Sequence, residues 1–130
     1  MLRAIVAAGF ALSVGAAEAA GDAQRGEQLY ARCAACHALA YDRVGPRHCG
    51  LLGRQAGSVA GFDYSAAMKQ SGIVWNARTL DRFIADPLKA VPGTTMTYAG
   101  IKDSKERADL VAYLAKAGND PRECPSVKAP

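Results

Sequence analysis

The chain has few of the side chains that usually fill a core or bind a metal. Of its 130 residues only 7% are aromatic, with a single tryptophan, and its only two histidines are His37 and His48. Alanine and glycine dominate much of the rest, so the core that the chain can build alone is thin for its length. A buried cofactor would help to fill that core.

Features of several other classes of protein are also missing. The 16 Lys and Arg residues outnumber 12 Asp and Glu, for a net charge of +4, but they are scattered among the acids. Without a basic stripe the sequence gives no case for nucleic acid binding, while a mild positive charge suits docking on an acidic protein surface. No strand pattern is strong, and no internal repeat is visible.

No hydrophobic run is as long as a membrane span requires, but a shorter one opens the chain. It follows Arg3 and extends over residues 4–17, about 14 residues where a span needs roughly 20. Small residues in an A-x-A pattern end at Ala19. Residues 1–20 are therefore predicted to be a secretory signal peptide, cleaved after Ala19 or Ala20, and the rival interpretation is an uncleaved anchor.

The rest of the chain predicts one all-α domain over residues 21–118 and a C-terminal tail over 119–130, which carries three prolines and is expected on the surface. Glycines and prolines mark long loops between the helices. The predicted helices run from about Ala23 to Cys33 with Asp22 as N-cap, from Ser65 to Gln70, from the Asn76 cap to Pro87, and from a capping box of Asp103 and Glu106 to Gly118.

Cys33-Ala34-Ala35-Cys36-His37 carries the strongest chemical signal. Two cysteines at this spacing can each bond one haem vinyl group, and the next histidine can ligate the iron. The alternatives are a redox Cys-x-x-Cys site, which usually follows a β-strand, and half of a zinc site, which needs two more ligands. A helix is predicted before this motif. The motif therefore predicts one covalent haem c on Cys33 and Cys36, with iron bound by His37.

Three residues are candidates for the second axial ligand. Met96 follows an extended loop with proline and glycine, which can carry its thioether to the far side of the haem. Met68 lies in a predicted helix, where packing is the ordinary role, and His48 lies in a loop on the side of His37. We therefore predict ligation by His37 and Met96, which favours electron transfer over oxygen chemistry.

Several short segments, in this order, resemble the class I cytochromes c, especially bacterial cytochromes c2 and their mitochondrial relatives. The resemblance implies an all-α fold in which the N- and C-terminal helices cross and loops wrap around one covalently bound haem. It implies a soluble, monomeric, periplasmic electron carrier that is not an enzyme. The matching segments, spread over residues 21–117, are GDAQRGEQLY, CAACH, VGP, GLLGRQAG, GFDYSAAMKQSGIVW, VPGTTMTYAGIKD and RADLVAYL.

The same resemblance implies roles for other residues. The Pro46 carbonyl is expected to accept a hydrogen bond from the proximal imidazole, and Thr94 to lie beside the haem propionates. Arg54, Tyr64 and Trp75 match residues that hydrogen-bond the buried propionate. At the helix crossing, the resemblance places Gly26 and Tyr30 against Leu110 and Tyr113. Departures from the family pattern are Phe83 for a tyrosine near the methionine sulfur, and His48 at a usually apolar position, expected as a packed or partly exposed neutral ring.

The expected partners are redox proteins: respiratory or photosynthetic membrane complexes, or a periplasmic dehydrogenase. Leu88 and Thr95 stand where lysines often surround the exposed haem edge, which leaves Arg32, Lys89 and Lys102 as candidate docking charges. The alternative function is a haem-based sensor of small ligands or a peroxidase-like enzyme, which would need an open iron position.

Cys49 and Cys124 remain after haem attachment. In an oxidising periplasm two free thiols rarely persist, and in the family fold the segment holding Cys49 runs near the end of the last helix. A disulfide between them is the economical interpretation, and two free thiols are the alternative. Counting thiols in the denatured protein, with and without reductant, separates the two.

The thin core gives a first prediction. Expressed without a haem-attachment system, the chain is expected to remain unfolded, because the haem supplies much of its buried surface. Far-ultraviolet circular dichroism of the haem-free chain tests this, and a compact helical spectrum would contradict it.

Overall fold

The computed structural model describes residues 20–125, so the predicted signal peptide lies outside them except for Ala20. Between residues 20 and 125 the only β-pairing is an isolated bridge between Gln55 and Val74, and the all-α prediction is confirmed. No helix in this range has the length and apolar character of a membrane span. The helices are α1 (Ala23–Tyr30), α2 (Ala66–Gln70), α3 (Ala77–Ala85), α4 (Pro87–Ala90) and α5 (Ser104–Ala117).

Helix α1 begins as predicted and ends earlier than predicted. The Asp22 side chain accepts hydrogen bonds from the backbone N–H groups of Gln24 and Arg25. After Tyr30 the backbone changes to tighter bonds between residues three apart, including one of 2.8 Å from Cys33 N–H to the Tyr30 carbonyl. The prediction that α1 reaches Cys33 is therefore wrong by one turn, and this turn carries the first cysteine.

Helix α3 is capped by Asn76 in a capping box: the Asn76 side chain accepts from Thr79 N–H, and the Thr79 hydroxyl accepts from Asn76 N–H. Pro87 closes α3 as predicted, but it also begins α4, which the sequence reasoning missed. Asp86 caps α4, with its side chain accepting from the N–H of Lys89. Proline suits the first position of a helix because its missing N–H would have no partner there.

Helix α5 ends at Ala117 with Gly118 as its C-cap, as predicted, but its predicted capping box is only half formed. The Asp103 side chain caps it by accepting from Glu106 N–H at 2.9 Å. The reciprocal half of the predicted capping box is absent, because the Glu106 carboxylate instead accepts from the Arg32 guanidinium at 2.8 Å. Gly118 ends the helix at a φ of −64°, so no left-handed turn requires it. A side chain there would lie 3.1 Å from the His48 carbonyl, so glycine allows close approach of a loop.

Helices α1 and α5 cross where Gly26 faces the α5 backbone, as the resemblance implied. A Cβ atom on Gly26 would lie 2.7 Å from the carbonyl carbon of Asp109 and from Cβ of Tyr113. The rings of Tyr30 and Tyr113 pack beside this contact, with their centroids 5.2 Å apart. Only glycine permits so short a separation between the two helices.

Asp109 adds a polar link at the same crossing. Its side chain is 4% exposed and accepts from the backbone N–H of Asp22 at 2.7 Å. The Arg25 guanidinium lies at 3.1 Å and the Lys105 ammonium at 3.2 Å. The Asp22 hydrogen bond, together with these two cations, holds the pKa of Asp109 below its ordinary value. The start of α1 is thus hydrogen-bonded directly to α5.

A disulfide joins Cys49 to Cys124, which confirms the economical interpretation of the two remaining cysteines. The two residues are 75 positions apart, with Cα atoms separated by 5.4 Å. Beside them, the Gly50 N–H donates to the Gly118 carbonyl at 2.9 Å. The prediction of a surface tail is wrong at Cys124, which is 1% exposed because its disulfide draws it beneath the end of α5. Residues 126–130 lie outside the described residues.

The crossing gives a second prediction. Replacing Gly26 by alanine is expected to lower the free energy of unfolding of the haem-loaded protein by about 2 kcal/mol, because overpacking against backbone outweighs alanine's helix propensity. Guanidinium denaturation measures the change. Gln28→Ala, on the exposed face of α1, is the matched control and should change it by less than about 0.5 kcal/mol. A stabilised Gly26→Ala variant would contradict the close contact.

The disulfide gives a third prediction. The double variant Cys49→Ala, Cys124→Ala is expected to lose roughly 4 kcal/mol of unfolding free energy, because the closed loop restricts the unfolded chain. The reduced wild-type protein is the control, since it loses the cross-link and keeps both side chains. Equal unfolding free energies for oxidised and reduced wild type would show that the cross-link does not stabilise the fold.

Candidate haem site

A cavity of about 410 Å³ opens between the turn and loop that follow α1, helices α2 and α3, the loop holding Met96, and α5. Apolar side chains of the core, such as Leu80, Phe83 and Leu110, form part of its wall. The structure brings every predicted cofactor-binding residue to this one cavity. They are Cys33, Cys36, His37, Pro46, Arg54, Tyr64, Trp75, Thr94 and Met96.

Cys33 and Cys36 are the free thiols of the described chain. Cys36 is exposed and Cys33 is half-buried at the cavity wall. Burial raises the pKa of the Cys33 thiol to about 11, although Arg32 acts in the opposite direction. A redox Cys-x-x-Cys site usually has a cysteine with a lowered pKa, so the alternative of a thioredoxin-like site loses support. A zinc site loses support as well, because Cys49 and Cys124 are already bonded to each other.

His37 is held by a single strong contact to the backbone. Its Nδ1 lies 2.8 Å from the Pro46 carbonyl, the contact that the resemblance implied. A carbonyl only accepts, so Nδ1 carries the proton and Nε2 keeps the lone pair that a metal needs. Burial lowers the pKa of His37, partly offset by the Pro46 hydrogen bond, and the ring is therefore neutral at pH 7. A Cβ on Gly45 would lie 2.6 Å from Nδ1, so glycine is required beside the ring.

Met96 lies in the loop between α4 and α5, half-buried at the cavity. The hydroxyl of the buried Thr94 accepts from Met96 N–H at 3.2 Å, and Thr94 N–H donates to the Val91 carbonyl at 3.0 Å. These bonds order the loop on the N-terminal side of the methionine. Met68 is buried in α2 as a core residue, as its predicted packing role requires.

Arg54 provides the clearest test of whether the cavity fits haem. Its two terminal nitrogens donate to the carbonyls of Cys49 and Arg47, at 3.0 and 2.9 Å. Its Nε is the one buried side-chain nitrogen or oxygen of residues 20–125 without a hydrogen-bond partner. An unsatisfied donor of this kind is costly, and a carboxylate in the cavity would satisfy it. A propionate group is such a carboxylate.

Tyr64 and Trp75 lie at the same cavity as Arg54. The Tyr64 hydroxyl accepts from Val59 N–H at 3.2 Å, which leaves its own hydrogen available to donate. The Trp75 ring is buried and packs against Phe83, with ring centroids 5.2 Å apart. The residues present therefore fit a haem with a buried propionate.

His48 forms contacts that the sequence reasoning missed. It is packed on the side of His37, as expected, but the two rings also stack, with centroids 4.3 Å apart and planes 20° apart. The Tyr30 hydroxyl lies 3.0 Å from His48 Nδ1. Burial, and then His37 and Arg54, lower the pKa of His48, while burial raises the pKa of Tyr30. A neutral hydroxyl therefore meets a neutral imidazole at pH 7.

The helical fold, the free thiols beside a held imidazole and the unpartnered guanidinium N–H define a protein that binds haem covalently. Comparison with known proteins agrees, since the Cytochrome c family model matches residues 23–118. The chain belongs to the cytochrome c family. It therefore carries covalently attached haem c with iron, and it is a small electron carrier that exchanges electrons with redox partners.

Individual relatives give the same result. Cytochrome c2 from Rhodoplanes tepidamans is 47% identical over 102 residues, which cover 76% of this chain and 95% of that protein. Cytochrome c2 from Blastochloris viridis is 41% identical over 123 residues, or 92% and 97% of the two chains. The solved structure of cytochrome cH from Methylobacterium extorquens matches with a TM-score of 0.72 and 43% identity, covering 74% of this chain and 99% of its own.

Proposed function

We propose that this chain is a soluble bacterial periplasmic carrier of single electrons, with its haem attached to Cys33 and Cys36 and ligated by His37 and Met96. One observation carries the ligand assignment. An imidazole with a free Nε2 and the half-buried loop thioether of Met96 lie at the same cavity as the two free thiols, whereas the other thioether there, Met68, is a buried core residue of α2. Histidine and methionine would together hold the haem iron and leave no position for another ligand, which suits a carrier better than an enzyme.

When bound, the haem supplies the one-electron couple. The protein residues hold and tune it. The Pro46 carbonyl keeps the proton on His37 Nδ1 and makes Nε2 a better donor to the iron. Arg54 Nε and the Tyr64 hydroxyl are available to hydrogen-bond a propionate. Thr94 fixes the backbone of Met96 and so limits where the thioether lies.

Location outside the cytoplasm is supported by the sequence of residues 1–20 and by the disulfide, which is typical of an oxidising compartment. The similarity to the Blastochloris viridis protein covers 92% of the chain, more than the family domain alone. We propose that cleavage after Ala19 or Ala20 releases the domain from the membrane.

The partners proposed are respiratory or photosynthetic membrane complexes or a periplasmic dehydrogenase. Two of the candidate docking charges already have partners in the fold. Arg32 pairs with Glu106, and the Lys102 ammonium lies 3.0 Å from the Ala85 carbonyl and 3.8 Å from Asp86. Leu88 is 50% exposed. Docking is therefore expected to depend less on charge and more on apolar contact, with Lys89 as the remaining cation.

The ligand assignment gives a fourth prediction. Wild-type protein is expected to show a c-type reduced spectrum and the weak far-red methionine–iron band, both unchanged by carbon monoxide. Met96→Leu should lose the band and bind carbon monoxide, because leucine has no ligating atom. Met68→Leu is the matched control, since it removes a thioether from the same cavity wall, and it should behave as wild type.

Other outcomes would change the assignment. A Met96→Leu protein that keeps the band would show that Met96 is not the ligand. A wild-type protein that binds carbon monoxide would indicate an available iron position, and the sensor or peroxidase-like function would then be preferred.

A further inference from the structure

We propose that Tyr30 and His48 are positioning residues for His37, which together fix the plane of the proximal imidazole and thereby adjust the reduction potential. The inference rests on the proposed role of His37 as an axial ligand. It concerns a position where the resembled family usually has an apolar residue, so it describes a property of this chain.

The Pro46 hydrogen bond alone does not determine the plane of the His37 ring. It fixes one atom, Nδ1, and leaves the ring able to rock about that contact. The face of His48, 4.3 Å away and within 20° of parallel, restricts this remaining motion. An edge contact and a face contact together hold a planar ring better than either one.

His48 is itself held in place. Its Nδ1 lies 3.0 Å from the hydroxyl of Tyr30, whose ring meets it edge-on at a centroid distance of 5.7 Å. Tyr30 is buried at the end of α1. The His48 backbone N–H donates to the Leu39 carbonyl at 3.0 Å. The next residue, Cys49, forms the disulfide to Cys124. Fixed points on both sides therefore define the orientation of the His48 ring.

The expected direction of the effect follows from charge. The oxidised haem iron carries one more positive charge than the reduced iron, and polar groups nearby stabilise the charged form. Replacing the His48 ring by an apolar side chain removes such a group and frees the His37 ring. The reduced state should become more stable relative to the oxidised state, so the reduction potential should rise.

The test uses the haem-loaded protein with three variants. His48→Leu removes the stacked ring, and Tyr30→Phe removes only the hydroxyl that holds it. Tyr113→Phe is the matched control, because it removes a hydroxyl from another ring that packs against Tyr30. The readouts are the reduction potential and the proton NMR shifts of the haem methyl groups in the oxidised protein. Those shifts depend on the plane of the axial imidazole, which directs the unpaired spin.

His48→Leu is expected to raise the affinity of the oxidised protein for an electron about threefold to tenfold, and to redistribute the methyl shifts. A tenfold change in this affinity equals 59 mV for a one-electron couple. Tyr30→Phe should change both readouts in the same direction by less, and Tyr113→Phe should change neither. The Tyr30→Phe result decides the matter if His48→Leu does not fold.

The inference would be overturned if Tyr30→Phe and His48→Leu gave the same methyl shifts, or the same reduction potential, as Tyr113→Phe. That failure is distinct from failure of the proposed function. The far-red methionine–iron band and resistance to carbon monoxide in wild type test the ligand set alone, and they do not depend on His48.

Discussion

The contact between Gly26 and the backbone of α5 is the constraint on which the cavity depends. Helix α1 ends at Tyr30, immediately before the turn that carries Cys33. Helix α5 supplies Leu110 and Leu114 to the wall of the same cavity. A wider separation of the two helices would move the haem-attachment turn away from this wall. Close packing of the two backbones, aided by the buried Asp109 carboxylate, therefore sets the width of the site.

Local features of the fold were predictable because local interactions produce them. Asp22, Asn76 and Asp103 each cap a helix through side-chain bonds to residues two or three positions away. The error in the α5 capping box involves a partner that is distant in sequence. Glu106 leaves its capping box for Arg32, 74 residues away, and no local pattern encodes that choice. Gly118 ends α5 as predicted, but the structural reason is its close approach to the His48 loop and not a left-handed turn.

The features of the site likewise divide into those that the sequence predicted and one that it did not. The spacing of Cys33, Cys36 and His37, after a predicted helix, predicted haem attachment, and the Pro46 contact followed from family resemblance. The stack of His48 on His37 followed from neither. It needs α1 to place the Tyr30 hydroxyl and a separate loop to place His48, and only the assembled chain brings those segments together. A polar residue at a usually apolar position was the available signal.

The buried disulfide has a consequence for how the protein matures. Cys124 lies beneath the end of α5, and its partner is 75 residues earlier, so correct pairing requires the helices to have docked. Cys33 and Cys36 are three residues apart, and nothing delays their oxidation to each other in an unfolded chain. Of the four thiols, one pair must therefore stay reduced until it bonds haem, whereas the other pair must be oxidised to a disulfide. Thioether formation at the first pair must precede, or be protected from, the oxidants that close the second.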